Sequence, residues 1–141
     1  MKKSILFVTL ILFGASVGLA QKKMYEPKTG SAERKALVDA IRVYDVARNS
    51  DFKGEIFKIH GLRVQGNWAF ASVVRTNLPE AGDGTHLAFL RKSGAGWKVM
   101  WSNYNDDENN VGSEALKRLR KKHKDLPKEL TDFAINGWFA G

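Results

Sequence analysis

The stretch from Phe57 to Arg75, FKIHGLRVQGNWAFASVVR, decides the fold. Phe57 and Ile59 alternate with Lys58 and His60, and Leu62 and Val64 flank Arg63, the period-two pattern of a half-buried strand. Gly61 falls between the two pairs and shifts their parity by one, as a β-bulge does. Gln65-Gly66-Asn67 is a turn, and Trp68 to Arg75 is a second β-rich run carrying small Ala and Ser residues. Two such runs joined by a tight turn predict a hairpin.

Working outward, Asn77 to Gly84 is a loop, and Leu87 to Arg91 opens a second hairpin across the Ser93-Gly94-Ala95-Gly96 turn. Its return strand alternates Trp97, Val99 and Trp101 with Lys98, Met100 and Ser102. A polar loop from Asn103 to Gly112 follows. On the N-terminal side, Ser31 is a good N-cap, with Glu33 in the first turn. Leu37, Ile41 and Tyr44 then recur at helical spacing, predicting an amphipathic helix from about residue 32 to 47. Glu33, Arg34, Lys35, Asp39, Arg42 and Asp45 fill its other face. Ser113 caps a second helix, Glu114 to about His123, with a thin stripe of Leu116 and Leu119. Leu126-Pro127 interrupts it before a last short segment, Lys128 to Ile135. The apolar Gly137-Trp138-Phe139 tail has to dock or associate.

The expected fold class is α+β: an N-terminal helix packed on a four-stranded antiparallel sheet, with one or two short C-terminal helices. A sheet of this kind has one face to bury, and the first helix carries the long apolar stripe. The expected core is Leu37, Trp68, Phe70, Phe89, Trp97 and Trp101, with Trp68 against the Leu37–Ile41–Tyr44 face.

Residues 1–20 read as a secretory signal. Lys2 and Lys3 precede the short apolar run Ile5 to Phe13, and Gly18-Leu19-Ala20 offers small residues for cleavage before Gln21. That run is shorter than the roughly 20 residues a membrane span needs. The expected organisation is a signal peptide over 1–20, a flexible lead over 21–30 and a single domain over 31–141, with a helical extension from about 113. The protein is expected to be bacterial, and periplasmic or secreted. The formal charge of +8 includes Lys2 and Lys3, so cleavage leaves 21 − 15 = +6. The chain has no cysteine, which excludes thiol catalysis, Cys-ligated zinc and a lipid anchor at a processed Cys. With three histidines, His60, His86 and His123, no metal site is expected, and no phosphate loop is present. No cofactor is expected.

The helix start Ser31-Ala32-Glu33-Arg34-Lys35, the strand start Gly66-Asn67-Trp68-Ala69-Phe70 and the Leu90-Arg91-Lys92 and Gly96-Trp97-Lys98-Val99 segments resemble small secreted bacterial proteins of cystatin-like fold, most with no assigned activity. The resemblance covers about residues 31–104. It implies a helix wrapped by a curved four-stranded sheet. Protease inhibition does not carry over, because Gln65 and Gly66 are adjacent rather than spaced and no Pro precedes Trp97. The related nuclear-transport-factor-two-like enzymes work inside a deep cone, where His86 and Tyr44 are the matching residue types.

The densest charge is Lys117-Arg118-Leu119-Arg120-Lys121-Lys122-His123-Lys124. Lys117, Arg118, Arg120, Lys121, Lys122 and Lys124 are the candidate anion-binding residues, suited to a polyanion. The competing reading is a solvated face, balanced by the acidic Asp106-Asp107-Glu108 loop and suited to a helix C-terminus. Asn105, Asp106, Asp107 and Asn109 could hold a hard cation, but they lack the calcium-loop spacing and read as a turn. His86 reads as a half-buried, hydrogen-bonded residue. The sequence therefore points to a non-enzymatic exported binding protein, with an unknown envelope protein or a polyanion as partner. The alternative is a pocketed enzyme or small-ligand binder of the nuclear-transport-factor-two-like type.

Overall fold

The computed structural model describes residues 22–77, 85–94, 96–104 and 112–139. Helix α1 spans Ala32–Arg48 and is followed by a 3-10 turn, Ser50–Phe52. Four strands come next: β1 (Phe57–Gln65), β2 (Trp68–Arg75), β3 (Thr85–Ser93) and β4 (Gly96–Ser102). They form one antiparallel sheet in the order β1-β2-β3-β4. Helices α2 (Ser113–Lys122) and α3 (Lys128–Ala134) and a closing π-helical turn, Ile135–Phe139, complete the described chain. The α+β class and the helix-then-sheet order match the sequence reading.

Local chemistry explains most boundaries. The Ser31 hydroxyl accepts the Arg34 N–H at 3.2 Å and starts α1. The β1–β2 turn needs Gly66, whose φ of +62° is left-handed. The bulge at Gly61 is present as a register shift between Ile59 and Gly61, which keeps Ile59, Leu62 and Val64 on one face. Helix α2 begins one residue earlier than expected, with Gly112 rather than Ser113 at the cap and no side-chain cap bond.

Both faces of the sheet are covered, not one. On the first face, Leu37 and Ile41 of α1 pack on Leu62, Val64, Ala69, Ala71, Val73, Ala88, Leu90 and Val99. On the second, Trp68, Phe70, Phe89 and Trp101 meet Leu116, Leu119, Leu126 and Leu130. Trp68 is buried, but on the face opposite α1, because the C-terminal helices supply the second layer. Trp97 and Trp101 also part company. A register shift between Phe89 and Leu90 leaves Met100 unpaired, so Trp97 and Val99 face α1 while Trp101 faces the other way.

Part of the expected flexible lead is tied down, with Met24 packed against the aromatic layer and Tyr25 and Glu26 bonded beyond it. Tyr25 exchanges two backbone hydrogen bonds with Val64, at 2.9 and 2.8 Å, extending the β1 edge. Glu26 pairs with both Arg34 and Arg63. The apolar tail docks: Trp138 packs on Phe70 and Phe133, and Phe139 on Trp101.

Candidate functional site

The cationic run lies on and just beyond α2. Ala115, Leu116 and Leu119 turn inward, and Lys117, Arg118, Arg120, Lys121 and Lys122 are exposed. Lys124 is also exposed and follows the helix end. His123 does not join the cationic face. Its ring sits edge-on to Trp68, with centroids 5.2 Å apart.

Two of the six candidates line a groove. Arg118 and Lys122, with Ala115 and Leu119, face Met100 and Trp101 of β4 across a depression of about 170 Å³. Lys117, Arg120, Lys121 and Lys124 are not part of its lining, and Lys117 is paired with Glu114 at 2.5 Å. Met100 is also a wall of a neighbouring depression of about 450 Å³, lined by Asn67, Arg91, Lys92, Ser93 and Lys98. The two therefore adjoin, and cations from β3, β4 and α2 converge on one surface.

The strand register explains the convergence. Arg91 stands opposite Trp68 on one side and Lys98 on the other, so all three point toward the C-terminal helices. Like charges directly opposite in a sheet are destabilising. Asp125 offsets this at Arg91, with Nη2 2.7 Å from Oδ2, and also accepts the Trp68 indole N–H at 3.0 Å. Burial pushes the Asp125 carboxyl up, but the Trp68 hydrogen bond and the Arg91 charge hold it below the usual range. Among the described residues no carboxylate pairs with Lys98 or Lys122.

A second polar constellation is buried at the other end of the sheet, under the end of α1. Arg75, the last residue of β2, donates from Nη2 to Asp45 (2.8 Å), from Nε to Glu55 (2.6 Å) and from Nη1 to the Tyr104 hydroxyl (3.1 Å). Its guanidinium lies 4.1 Å from the Phe52 ring centroid and 4.9 Å from that of Tyr104. His86 Nδ1 is 3.1 Å from Asp45 Oδ2, and its Nε2 is 2.8 Å from Ser102 Oγ. Burial pushes the Glu55 carboxyl up to about 7; the Arg75 hydrogen bond opposes this and the Asp45 charge adds to it. Burial also raises Asp45, but hydrogen bonding from His86 and the Arg75 charge outweigh it and hold the group below its ordinary value.

Serine, imidazole and carboxylate in a row are the parts of an activated nucleophile. Here they work as a polar stitch. Ser102 is fully buried, and its Oγ already accepts the Tyr104 N–H at 3.2 Å. The Asp45 oxygen that holds His86 is also the one neutralised by Arg75. His86 is thus wholly buried rather than half-buried, and joins α1 to β4.

The stitch was legible in part. Asp45 lies four residues after Ile41 and eight after Leu37, so it belongs to the inward stripe and not to the polar face assigned to it above. Glu55, Arg75 and Ser102 have no comparable signal: Glu55 lies in the connection before β1, and Arg75 and Ser102 end their strands. For the groove, the missed residues Arg91 and Lys98 could have been placed by hairpin register. The acidic loop Asp106 to Glu108 and the candidate cation ligands Asn105 to Asn109 lie outside the described residues.

No family model, no curated protein and no solved structure matches the chain.

Proposed function

We propose that this protein is an exported, non-enzymatic binding domain that holds a polyanion along the groove between the β3–β4 hairpin and α2. One observation carries the reading: Arg91, Lys98, Arg118 and Lys122, from three separate elements, line adjoining depressions that meet at Met100. A merely solvated helix would spread its charge around the axis without drawing in strand cations. The pocketed alternative would need a chamber between α1 and the sheet. That space is occupied by Leu37, Ile41, Leu62, Leu90 and their neighbours. Export rests on the character of residues 1–20. No helix among the described residues is long and apolar enough to cross a membrane.

The test compares two triple variants with the same change in net charge. Lys98→Gln/Arg118→Gln/Lys122→Gln empties the groove, and Lys28→Gln/Lys53→Gln/Lys58→Gln neutralises exposed cations elsewhere. Heparin, lipopolysaccharide and duplex DNA serve as probes across a salt series. Counterion release makes log affinity fall linearly with log salt, by about 0.9 per phosphate contact on duplex DNA. The groove triple is expected to weaken binding and flatten the slope, while the control triple keeps both. Equal losses in the two triples would reduce the effect to net charge. Absence of salt-dependent binding to any probe would leave the cations as a solvated surface.

A further inference from the structure

The segment between α1 and β1 is nearly all surface. Asn49, Ser50, Asp51, Lys53, Gly54 and Ile56 are exposed, and only Glu55 is buried, with Phe52 partly so. Both of these inward residues rest on one group. Glu55 Oε2 accepts from Arg75 Nε, and the Phe52 ring stacks on the same guanidinium. Glu55 Oε1 is buried without a hydrogen-bond partner among the described residues. The remaining ties to the rest of the fold gather at the segment's end. Asn77 accepts the Ile56 N–H at 2.7 Å and donates to the Gly54 carbonyl at 3.0 Å, the Thr76 N–H and hydroxyl donate to the Ile56 carbonyl at 2.9 and 3.2 Å, and Arg42 Nε donates to the Glu55 carbonyl at 3.3 Å.

We propose that residues 49–56 form a latch set by the buried carboxyl pair Asp45 and Glu55: it stays seated on Arg75 while the pair holds one proton and loosens when that proton is lost.

The charge arithmetic around the pair supports this. Glu55 bonds directly to Arg75 on β2; the other titratable and charged groups of the cluster are Asp45 on α1, bonded to Arg75 and to His86 of β3, and Tyr104 after β4, bonded to Arg75, with Arg42 donating to the Glu55 carbonyl and Arg48 to that of Tyr104. With the proton on Glu55, the Asp45 carboxylate faces the Arg75 guanidinium and that charge is balanced. Without it, two anions share a single guanidinium, and Oε1 has nothing to donate to it. A buried charge without a partner is costly, whereas an exposed segment is cheap to release. Of the two carboxyls, Glu55 gives way, because Asp45 sits on the last turn of α1 and is held by both His86 and Arg75, whereas Glu55 lies in the exposed connection and is held by Arg75. Glu55 titrating near 7 places the event close to neutral pH.

Hydrogen exchange followed by mass spectrometry tests the latch on the whole protein between pH 5.5 and 8.5, after correction for intrinsic exchange rates. Peptides covering 49–57 are expected to lose at least tenfold in protection between pH 6 and 8, while those of β2 and β3 hold theirs. Glu55→Gln, which cannot ionise, is expected to keep the segment protected throughout. Unchanged protection in the unsubstituted protein, or the same pH-dependent loss in Glu55→Gln, would overturn the proposal. Should Glu55→Gln fail to fold, NMR titration of the Glu55 side-chain carboxyl in the unsubstituted protein decides. A midpoint near neutrality supports the latch, and one in the ordinary carboxylate range overturns it.

Discussion

The two faces of one sheet are packed by opposite means. Under α1 the sheet presents Ala69, Ala71 and Ala88 among its aliphatic residues, so a seventeen-residue helix can lie close. On the other face the covering helices have ten and seven residues, and Trp68, Phe70, Phe89 and Trp101 fill the space they leave. A long helix needs little from the strands beneath it, whereas short helices need rings that reach up to them. The polar groups follow the same division. The α1 face ends in a wholly buried ion cluster, and the aromatic face keeps its carboxylate, Asp125, at a half-exposed rim.

The largest expected effect is on the aromatic face. Trp68→Ala removes a buried ring, its contact with His123 and the hydrogen bond to Asp125, so a loss of about 5 kcal/mol is expected, the upper end for large aromatic truncations. Denaturant unfolding measures it; a loss below about 1 kcal/mol would mean that the short helices do not depend on the ring. On the α1 face, Arg75→Met leaves Asp45 and Glu55 facing each other without a cation, which costs about 3–5 kcal/mol. The penalty should be smaller at pH 5 than at pH 8, because Glu55 keeps its proton at the lower pH.

Linkage gives the unsubstituted protein an acid-side optimum. The raised Glu55 group binds a proton that the unfolded chain gives up above its ordinary value of 4.5, so stability declines from there to about pH 7 and then levels. The depressed Asp45 group acts the other way. Its contribution is present above the ordinary 3.8 and is lost as the pH falls below it. A stability maximum at or above pH 7 would show that the Glu55 proton is not held in the folded state.

This asymmetry also separates what could be read from the sequence from what could not. The α1 stripe, the two hairpins and the Gly61 bulge follow from spacing alone, because hydrophobic period and turn residues are local. The C-terminal helices are legible too, but the second buried face they cover is not. Leu116, Leu119 and Leu130 make a stripe too thin to announce a buried face, and only the aromatic partners across the sheet complete it. The run Trp97, Val99 and Trp101 misled for a related reason: a bulge that carries no glycine leaves no mark on the pattern. The buried cluster was the least legible part. Asp45, Glu55, Arg75, His86 and Ser102 come from five places in the chain, and pairing between distant charges has no sequence period.

Gly61 lies under the docked tail of the aromatic face, and its substitution is expected to have an intermediate effect. A Cβ there would lie 2.4 Å from the Trp138 ring, so Gly61→Ala has to displace the docked tail. Overpacking of this kind costs about 1–3 kcal/mol. If the cost comes from Trp138 alone, it should nearly vanish in a Trp138→Ala background. A persistent penalty would place the strain in the bulge itself.

The smallest effect tests the rim. Asp125→Asn keeps an acceptor for the Trp68 indole but removes the charge opposite Arg91, in a pair whose side chains are 41% and 49% exposed. Exposed pairs contribute roughly 0–1 kcal/mol, so stability near neutral pH should fall by no more than about 1 kcal/mol. Since the Asp125 group is depressed, whatever it contributes is present above its ordinary 3.8 and disappears as the pH falls through the folded value, where the variant and the unsubstituted protein should converge. The same substitution adds one net positive charge beside Lys98, so polyanion affinity should rise as stability slips. A fall in affinity together with stability would mean that Asp125 holds the hairpin in its binding shape rather than merely balancing its charge.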